Sequence, residues 1–408
     1  MGETFRVTER IGVGAVKISE REKKYVREVL DSNRHSYGPF SRRFETEFAR
    51  AHDCRFCVVT NSGTSSLQIA VGALRERGGW EDGAEVLCPA TTFVATPNVI
   101  LQNNLRPVFV DIEPDAYNVD PGQIEAHITP RTRALMVVHL YGQPAEMGPI
   151  MEIARRRSLA VIEDSAETMF ARYRGKSVGS FGEIACFSTY ACHILVTGVG
   201  GLTTTNDEEL AVVLRSLANH GRDSIYLSID DDRGLSGDAL REVMEARFRF
   251  VRLGYSYRMT EMEAALGVGQ LEGADDNVAA RRHAAARLIA GLTPRESYLK
   301  LPHPKPERDH SYMMFPIVVH EDAPFTREEL SLFLEEHRIE TRPMVSVLDQ
   351  PFYRGLLGDD FEQLYPVAHW IDRCGFYIGC HPEMTDPVLD YVLETFESFF
   401  AQLPRRGR

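Results

Sequence analysis

Residues 56–74 read Phe56-Cys57-Val58-Val59-Thr60-Asn61-Ser62-Gly63-Thr64-Ser65-Ser66-Leu67-Gln68-Ile69-Ala70-Val71-Gly72-Ala73-Leu74. A β-rich run, Phe56–Thr60, stops at a turn of small polar residues, and an amphipathic helical pattern, Ser65–Leu74, begins at once. Strand, small-residue turn and helix in that order are the repeating unit of a sheet covered by helices. The alternation continues outward from it. Further strands are expected at Glu85–Cys88, Pro107–Asp111, Ala134–Leu140, Ala160–Glu163, Ile184–Ser188 and Gly201–Thr205, with a helix at Met147–Arg157. These runs are almost continuously apolar, as strands buried on both faces must be, so the sheet is expected to be mostly parallel.

The pattern changes after residue 222. Asp223–Glu245 reads as an acidic surface insertion, with Asp230–Asp232 as a solvated turn, since three adjacent carboxylates do not converge on one cation. One long helical stretch is expected from about Thr260 to Leu292. Beyond it a strand (Tyr312–Val319) is mixed with helices (Arg327–His337, Pro387–Phe399). The organisation expected is α/β, with a large cofactor-binding domain over residues 1–265 and a smaller α+β domain over residues 266–408.

Composition bounds the function. The 408 residues carry 46 basic and 59 acidic side chains, a formal net charge of −13. That balance argues against nucleic acid or an anionic membrane as partner, because both demand a basic surface. Seven cysteines, an odd and sparse number, do not form a disulfide framework. The opening MGETFRVTER has no apolar signal core and no stretch nears 18 apolar residues, so a soluble cytoplasmic protein is expected.

Ligands of open α/β sheets sit beyond the carboxyl ends of the strands, and three such ends carry chemistry. The turn at Asn61–Ser66 presents N–H groups and hydroxyls, either to an anion or simply as a helix cap. Val161-Ile162-Glu163-Asp164-Ser165-Ala166-Glu167 ends a buried strand in carboxylates. Such an acid needs a partner, and a protonated ring nitrogen or a helix terminus would serve. Cys186-Phe187-Ser188-Thr189-Tyr190-Ala191-Cys192-His193 runs a strand into a hydroxyl-rich turn and a histidine, before the glycine loop Gly198–Gly201. A lone histidine of this kind is catalytic or structural, and its spacing from cysteine does not make a metal site.

Taken together and in order, these segments resemble the DegT/DnrJ/EryC1/StrS sugar aminotransferase family, PLP-dependent proteins of fold type I. The resemblance extends through Ser36–Phe40, Pro89–Thr96, Val138–Gly142, Asn219–Gly221 and Gly254–Glu261. It implies roles for particular residues. Gly63, Thr64, Ser65 and Ser188 would lie at the cofactor phosphate, Phe93 would stack on the pyridine ring, and Asp164 would pair with the pyridine N–H. Glu167 falls where many members have Gln or His near the cofactor hydroxyl. Ser256 stands where Asn usually reaches the neighbouring subunit's phosphate. A homodimer with shared active sites is implied.

The chain departs from the family's aminotransferases at His193, where they carry the lysine that bonds PLP. The only lysines are Lys17, Lys23, Lys24, Lys176, Lys300 and Lys305, and Lys176 reads as part of a hairpin turn. Imidazole cannot replace a primary amine in that bond but is a proton carrier near neutrality. One branch of the family shares this feature: nucleotide-sugar 3-dehydratases that use PMP. Some of these carry an iron–sulfur cluster. Only Cys374 and Cys380 follow His193, too few for four thiolate ligands, so the resemblance points to the style that regenerates PMP with L-glutamate. The expected activity is therefore C3 deoxygenation of an NDP-4-keto-6-deoxyhexose with His193 as base. The alternatives are an aminotransferase whose lysine was replaced, naturally or by engineering, and a non-catalytic PLP-binding homologue. Arg342 is a candidate anion contact. His139, His220, Cys374 and Cys380 read as structural.

Overall fold

The computed structural model describes residues 9–223, 233–344, 347–357 and 361–403. Its larger sheet is built from β1 (Phe56–Thr60), β2 (Glu85–Pro89), β3 (Arg106–Val110), β4 (Thr132–Val138) and β5 (Ala160–Asp164). A small hairpin of β6 (Arg172–Tyr173) and β7 (Lys176–Ser177) intervenes before β8 (Ile184–Ser188) and β9 (Gly201–Thr205) rejoin the sheet. The spatial order is β1-β9-β8-β5-β4-β2-β3. The pairs β2/β3, β2/β4, β4/β5 and β5/β8 are parallel, whereas β9 runs antiparallel to both neighbours. The expected fold class is therefore the observed one, a mostly parallel mixed sheet flanked by helices. β9 reverses because the segment after β8 returns directly to the edge it left. With β9 reversed on both sides, β1, β8, β5, β4 and β2 all present their carboxyl ends at one edge.

A second sheet follows, β10 (Leu299–Lys300), β11 (Met314–Val319), β12 (Arg342–Pro343) and β13 (Gly375–Gly379), antiparallel throughout in the order β10-β11-β13-β12. Helices Ala274–Leu292, Arg327–Glu336 and Asp386–Ala401 bury Leu288, Leu334 and Phe396 with Phe315 and Ile317 in a core separate from that of the larger sheet. Burying side chains of this size contributes roughly 1.5–3 kcal/mol each before chain entropy is subtracted.

Three expectations need correction. The stretch 260–292 is two helices, Glu261–Leu271 and Ala274–Leu292, because the chain breaks at Glu272-Gly273 and restarts with Gly273 outside helical geometry (φ −105°, ψ 11°). The insertion carries a helix, Gly237–Ala246, while Asp230–Asp232 lie outside the described residues. Strand β11 begins at Met314 rather than Tyr312, since Tyr312 takes a left-handed φ of 46° that no strand accommodates. Among the described residues no helix is long and apolar enough to cross a membrane.

Candidate active site

The carboxyl ends of the parallel strands open into a cleft of about 390 Å³. From the end of β1 come Ser62, Gly63 and Thr64, and from β2 come Thr92 and Phe93. Leu140 and Tyr141 follow β4, Asp164 and Glu167 follow β5, and Ser188, Tyr190, Cys192 and His193 follow β8. Met313, Met314 and Tyr377, from β11 and β13 of the smaller sheet, close the far side.

The β1 turn is built for close approach. Ser62 caps helix Gly63–Gly78, its Oγ accepting from Ser65 N at 3.1 Å. A Cβ on Gly63 would stand 2.6 Å from the Cβ of Ser188, so only glycine lets the helix start against β8. The helix start thereby aims its unpaired N–H groups at the cleft, an arrangement that receives an anion. Ser65 itself does not line the cleft; its N–H and hydroxyl are both engaged by Ser62.

The acids at the end of β5 divide by strand parity. Glu163 points away from the cleft and is wholly buried. His139 Nε2 lies 3.1 Å from its carboxylate, and Gly179 N, Phe181 N and Gly182 N donate to it at 2.7–2.8 Å. His139 Nδ1 accepts from Ala145 N at 3.0 Å, so Nε2 carries the proton that Glu163 receives. Burial works against the Glu163 charge, but these donors outweigh it and hold its carboxyl below the usual range. Glu163 and His139 are thus a structural pair.

Asp164, one residue on, faces the cleft. It accepts from Thr96 Oγ1 at 2.7 Å and from Ala166 N at 3.2 Å, both neutral donors, and makes no ion pair among the described residues. Burial lifts its pKa above the ordinary value. A buried carboxylate facing a cavity without a cation is completed by a cationic ring nitrogen, so the donor set fits a pyridine coenzyme. Phe93, 60 % exposed, stands at the same cleft with its ring uncovered by the protein.

Glu167 accepts from Tyr141 N at 2.9 Å, and burial, only partly offset by that bond, raises its pKa to about 7, with Asp164 adding to the rise. Folding therefore favours its protonated form. Its stabilising effect is complete below the unfolded value near 4.5 and is lost as pH rises through about 7. The side chain keeps an edge in the wet cleft, so the loss is on the order of 1–2 kcal/mol. We expect the coenzyme-free protein to melt lower at pH 8 than at pH 5, and Glu167→Gln to flatten that difference. Calorimetry across the range checks it, and an unchanged slope in the variant would refute it.

His193 sits in a tight turn, its N–H donating to Tyr190 O at 2.9 Å. Its ring Nδ1 lies 3.1 Å from Ser188 O, an atom that can only accept, so Nδ1 bears the hydrogen and Nε2 keeps its lone pair. Burial pushes its pKa down to about 4, against the carbonyls of Ala166 and Ser188, although one edge of the ring stays accessible from the cleft. The imidazole is therefore neutral at physiological pH, a base already lacking its second proton.

None of the six lysines lines the cleft. Lys17 pairs with Glu383, Lys23 with Glu20 and Lys24 with Glu28, and Lys300 and Lys305 both reach Asp115. Lys176 opens the second strand of the β6–β7 hairpin, its ammonium 4.6 Å from the centre of the Phe181 ring. Ser256 also lies away from its own chain's cleft, its hydroxyl accepting from Arg258 at 2.8 Å. His220 is exposed, its Nε2 3.3 Å from that arginine's guanidinium, and Arg342 is exposed and paired with Glu340. Cys380 is a core thiol, Cys374 is half-buried, and all seven cysteines are unpaired. The methionines, Tyr377 and Thr96's bond to Asp164 carry no local sequence signal, since long-range folding alone brings them here.

A profile described as the DegT/DnrJ/EryC1/StrS aminotransferase family matches residues 16–397. The chain is 34% identical over 390 residues to a GDP-perosamine synthase of Caulobacter vibrioides, covering 95% of this chain and 98% of that one. It is also 34% identical over 376 residues to a dTDP-4-dehydro-2,6-dideoxy-D-glucose 3-dehydratase of Saccharopolyspora spinosa, covering 90% of this chain and 81% of that one. Among solved structures, the Escherichia coli GDP-4-keto-6-deoxy-D-mannose-3-dehydratase with bound hydrated PLP superposes with a TM-score of 0.83 at 26% identity, covering 95% of this chain and 100% of that one. Sheet order, cleft and sequence agree: this chain belongs to the DegT/DnrJ/EryC1/StrS aminotransferase family.

Proposed function

We propose that the protein is a PMP/PLP-dependent 3-dehydratase of an NDP-4-keto-6-deoxyhexose, drawing its amino group from L-glutamate. The observation that carries this reading is His193: a neutral imidazole turned on the cleft, with every lysine of the chain elsewhere. When bound, the coenzyme supplies an electron sink that makes the carbons next to its nitrogen acidic. Asp164 holds the proton on the ring nitrogen. Gly63, Thr64 and Ser188 bind the phosphate at the helix start, with Ser65 shaping that turn through Ser62. Phe93 orients the ring by stacking, and Glu167, in its protonated form, donates a hydrogen bond to the ring hydroxyl. With the coenzyme bound, His193 Nε2 would be the group on the cleft wall that accepts a proton and returns it to the departing C3 hydroxyl of the substrate.

The active unit is a homodimer with shared sites. Met244, Phe248, Phe250, Val251 and Leu253 form an exposed apolar run beside Ser256, Phe248 at 81 % and Leu253 at 90 % exposure, and a second copy would cover it. Ser256 then contributes to the neighbour's phosphate site, and sedimentation of the pure protein reads the assembly.

The test is a panel of GDP- and dTDP-4-keto-6-deoxy sugars incubated with PMP and glutamate. The expected product is one oxygen lighter than its substrate, with 2-oxoglutarate and ammonia released in equal amount. An aminated sugar as product would instead establish an aminotransferase, the activity named by the perosamine synthase relative. No turnover on any sugar would establish the non-catalytic reading.

A further inference from the structure

Arg281 is buried within the helix Ala274–Leu292 and makes no ion pair among the described residues. Its guanidinium is spent on neutral acceptors. Nε donates to Asn277 Oδ1 at 2.7 Å, Nη1 to Cys380 O at 2.7 Å and Met313 O at 2.9 Å, and Nη2 to His193 O at 3.3 Å. Asn277, one turn earlier on the same helix face, donates from Nδ2 to Ile194 O at 2.9 Å. Two consecutive carbonyls of the β8 turn are thus gripped from a helix whose first turns, with Ala274 and Val278, pack in the larger sheet's core and whose later turns, with Ala284, Ala285, Leu288 and Leu292, pack in the other. A buried cation without a counter-ion is costly to keep, and all three of its nitrogens donate, to carbonyls of three separate segments besides its own helix.

We infer that Asn277 and Arg281 are positioning residues for His193: they fix the backbone from which its imidazole projects and lock that turn to the smaller sheet. The inference rests on the reading of His193 as the base. Ser188 O orients the ring from within the turn and the Ala166 carbonyl meets it from the end of β5, while Asn277 and Arg281 hold the main-chain carbonyls of residues 193 and 194. The charge has a second effect. Cys192 and Tyr190 flank the imidazole on its own turn, and Asp164 and Glu167 from the end of β5 and Tyr377 from β13 line the same cleft. Arg281 is the cation among them, and adds to burial in disfavouring a protonated ring.

The experiment uses the full chain with ¹⁵N-labelled histidine, comparing Arg281→Gln, Arg281→Lys and Asn277→Ala with the parent. The His193 resonance is assigned by its loss in His193→Ala and titrated without coenzyme. Turnover on the active keto sugar is measured in parallel. Arg281→Gln should move the His193 titration upward, toward the free value of about 6.5, and lower kcat about 100-fold with KM nearly unchanged. Arg281→Lys should restore the low titration but only part of kcat. Asn277→Ala should leave the titration in place and lower kcat about 10-fold. A folded Arg281→Gln protein with parental titration and kcat overturns the inference. Should that variant not fold, parental kcat in both Asn277→Ala and Arg281→Lys overturns it. If the parent turns over no keto sugar, the dehydratase reading fails, while the titration alone still decides the role of Arg281.

Discussion

Replacing His193 by alanine is expected to lower turnover by about 10²–10⁴-fold, the usual contribution of a positioned general base. Coenzyme affinity should change only a few-fold. The ring's protein partners are the carbonyls of Ser188, in the turn itself, and Ala166, and the pyridine and most of the phosphate contacts come from other residues. Equilibrium dialysis against PMP, alongside the rate, separates the two effects. A loss of affinity equal to the loss of rate would show that His193 binds rather than reacts. The companion change, His193→Lys, restores a primary amine at the cleft. Sodium borohydride should then fix PLP to residue 193, whereas the parent protein retains none after denaturation. Coenzyme fixed to the parent at any of its six lysines would defeat the dehydratase reading.

The second large effect is at Asp164, where one substitution should move two quantities in opposite directions. In the coenzyme-free protein Asp164 is a buried acid served only by Thr96 and Ala166, and burial raises its pKa. A group whose folded pKa lies above its unfolded one destabilises the fold at any pH where it is ionised. Asp164→Asn removes that charge while keeping the shape, so the empty protein should melt at the same temperature or higher at pH 8. Coenzyme affinity should instead fall about 10–100-fold, the equivalent of a charge-assisted hydrogen bond of roughly 1.5–3 kcal/mol. Turnover should fall further, because an amide cannot hold the ring nitrogen protonated. Thermal melts with and without PMP give both readings, and a melting point that drops in both conditions would show Asp164 to be structural, as Glu163 is.

The contrast between those two acids shows where the sequence stops being legible. The strands could be read because each is a short apolar run closed by small or polar residues, and β1, β8 and β9 begin and end where that pattern does. The turn residues at strand ends could be read because their chemistry is unlike that of their surroundings. Glu163 and Asp164, however, are adjacent, identical in charge and both buried. A strand covered on both faces gives no polar alternation to say which side chain meets the cavity. Strand parity decides it, and parity depends on the register with β4 and β8. The break at Gly273 is hidden for a related reason: helical periodicity persists across one glycine, and the residues on both sides of it, Val268 and Ala274, pack in the same core. Met313, Met314, Tyr377 and Arg281 reach the site across a gap of more than a hundred residues from the β5 carboxylates, where no local pattern can announce them.

A cleft without an amine to tether its coenzyme obeys mass action. Occupancy follows the free vitamer concentration around the protein, and dialysis should strip the molecule that a covalent holoenzyme would keep. Fold stability then becomes a logarithmic gauge of supply, gaining about 2.7 kcal/mol when the free ligand stands at a hundred times its dissociation constant. A cell short of vitamin B6 would lose this protein's loaded form ahead of its lysine-bonded relatives.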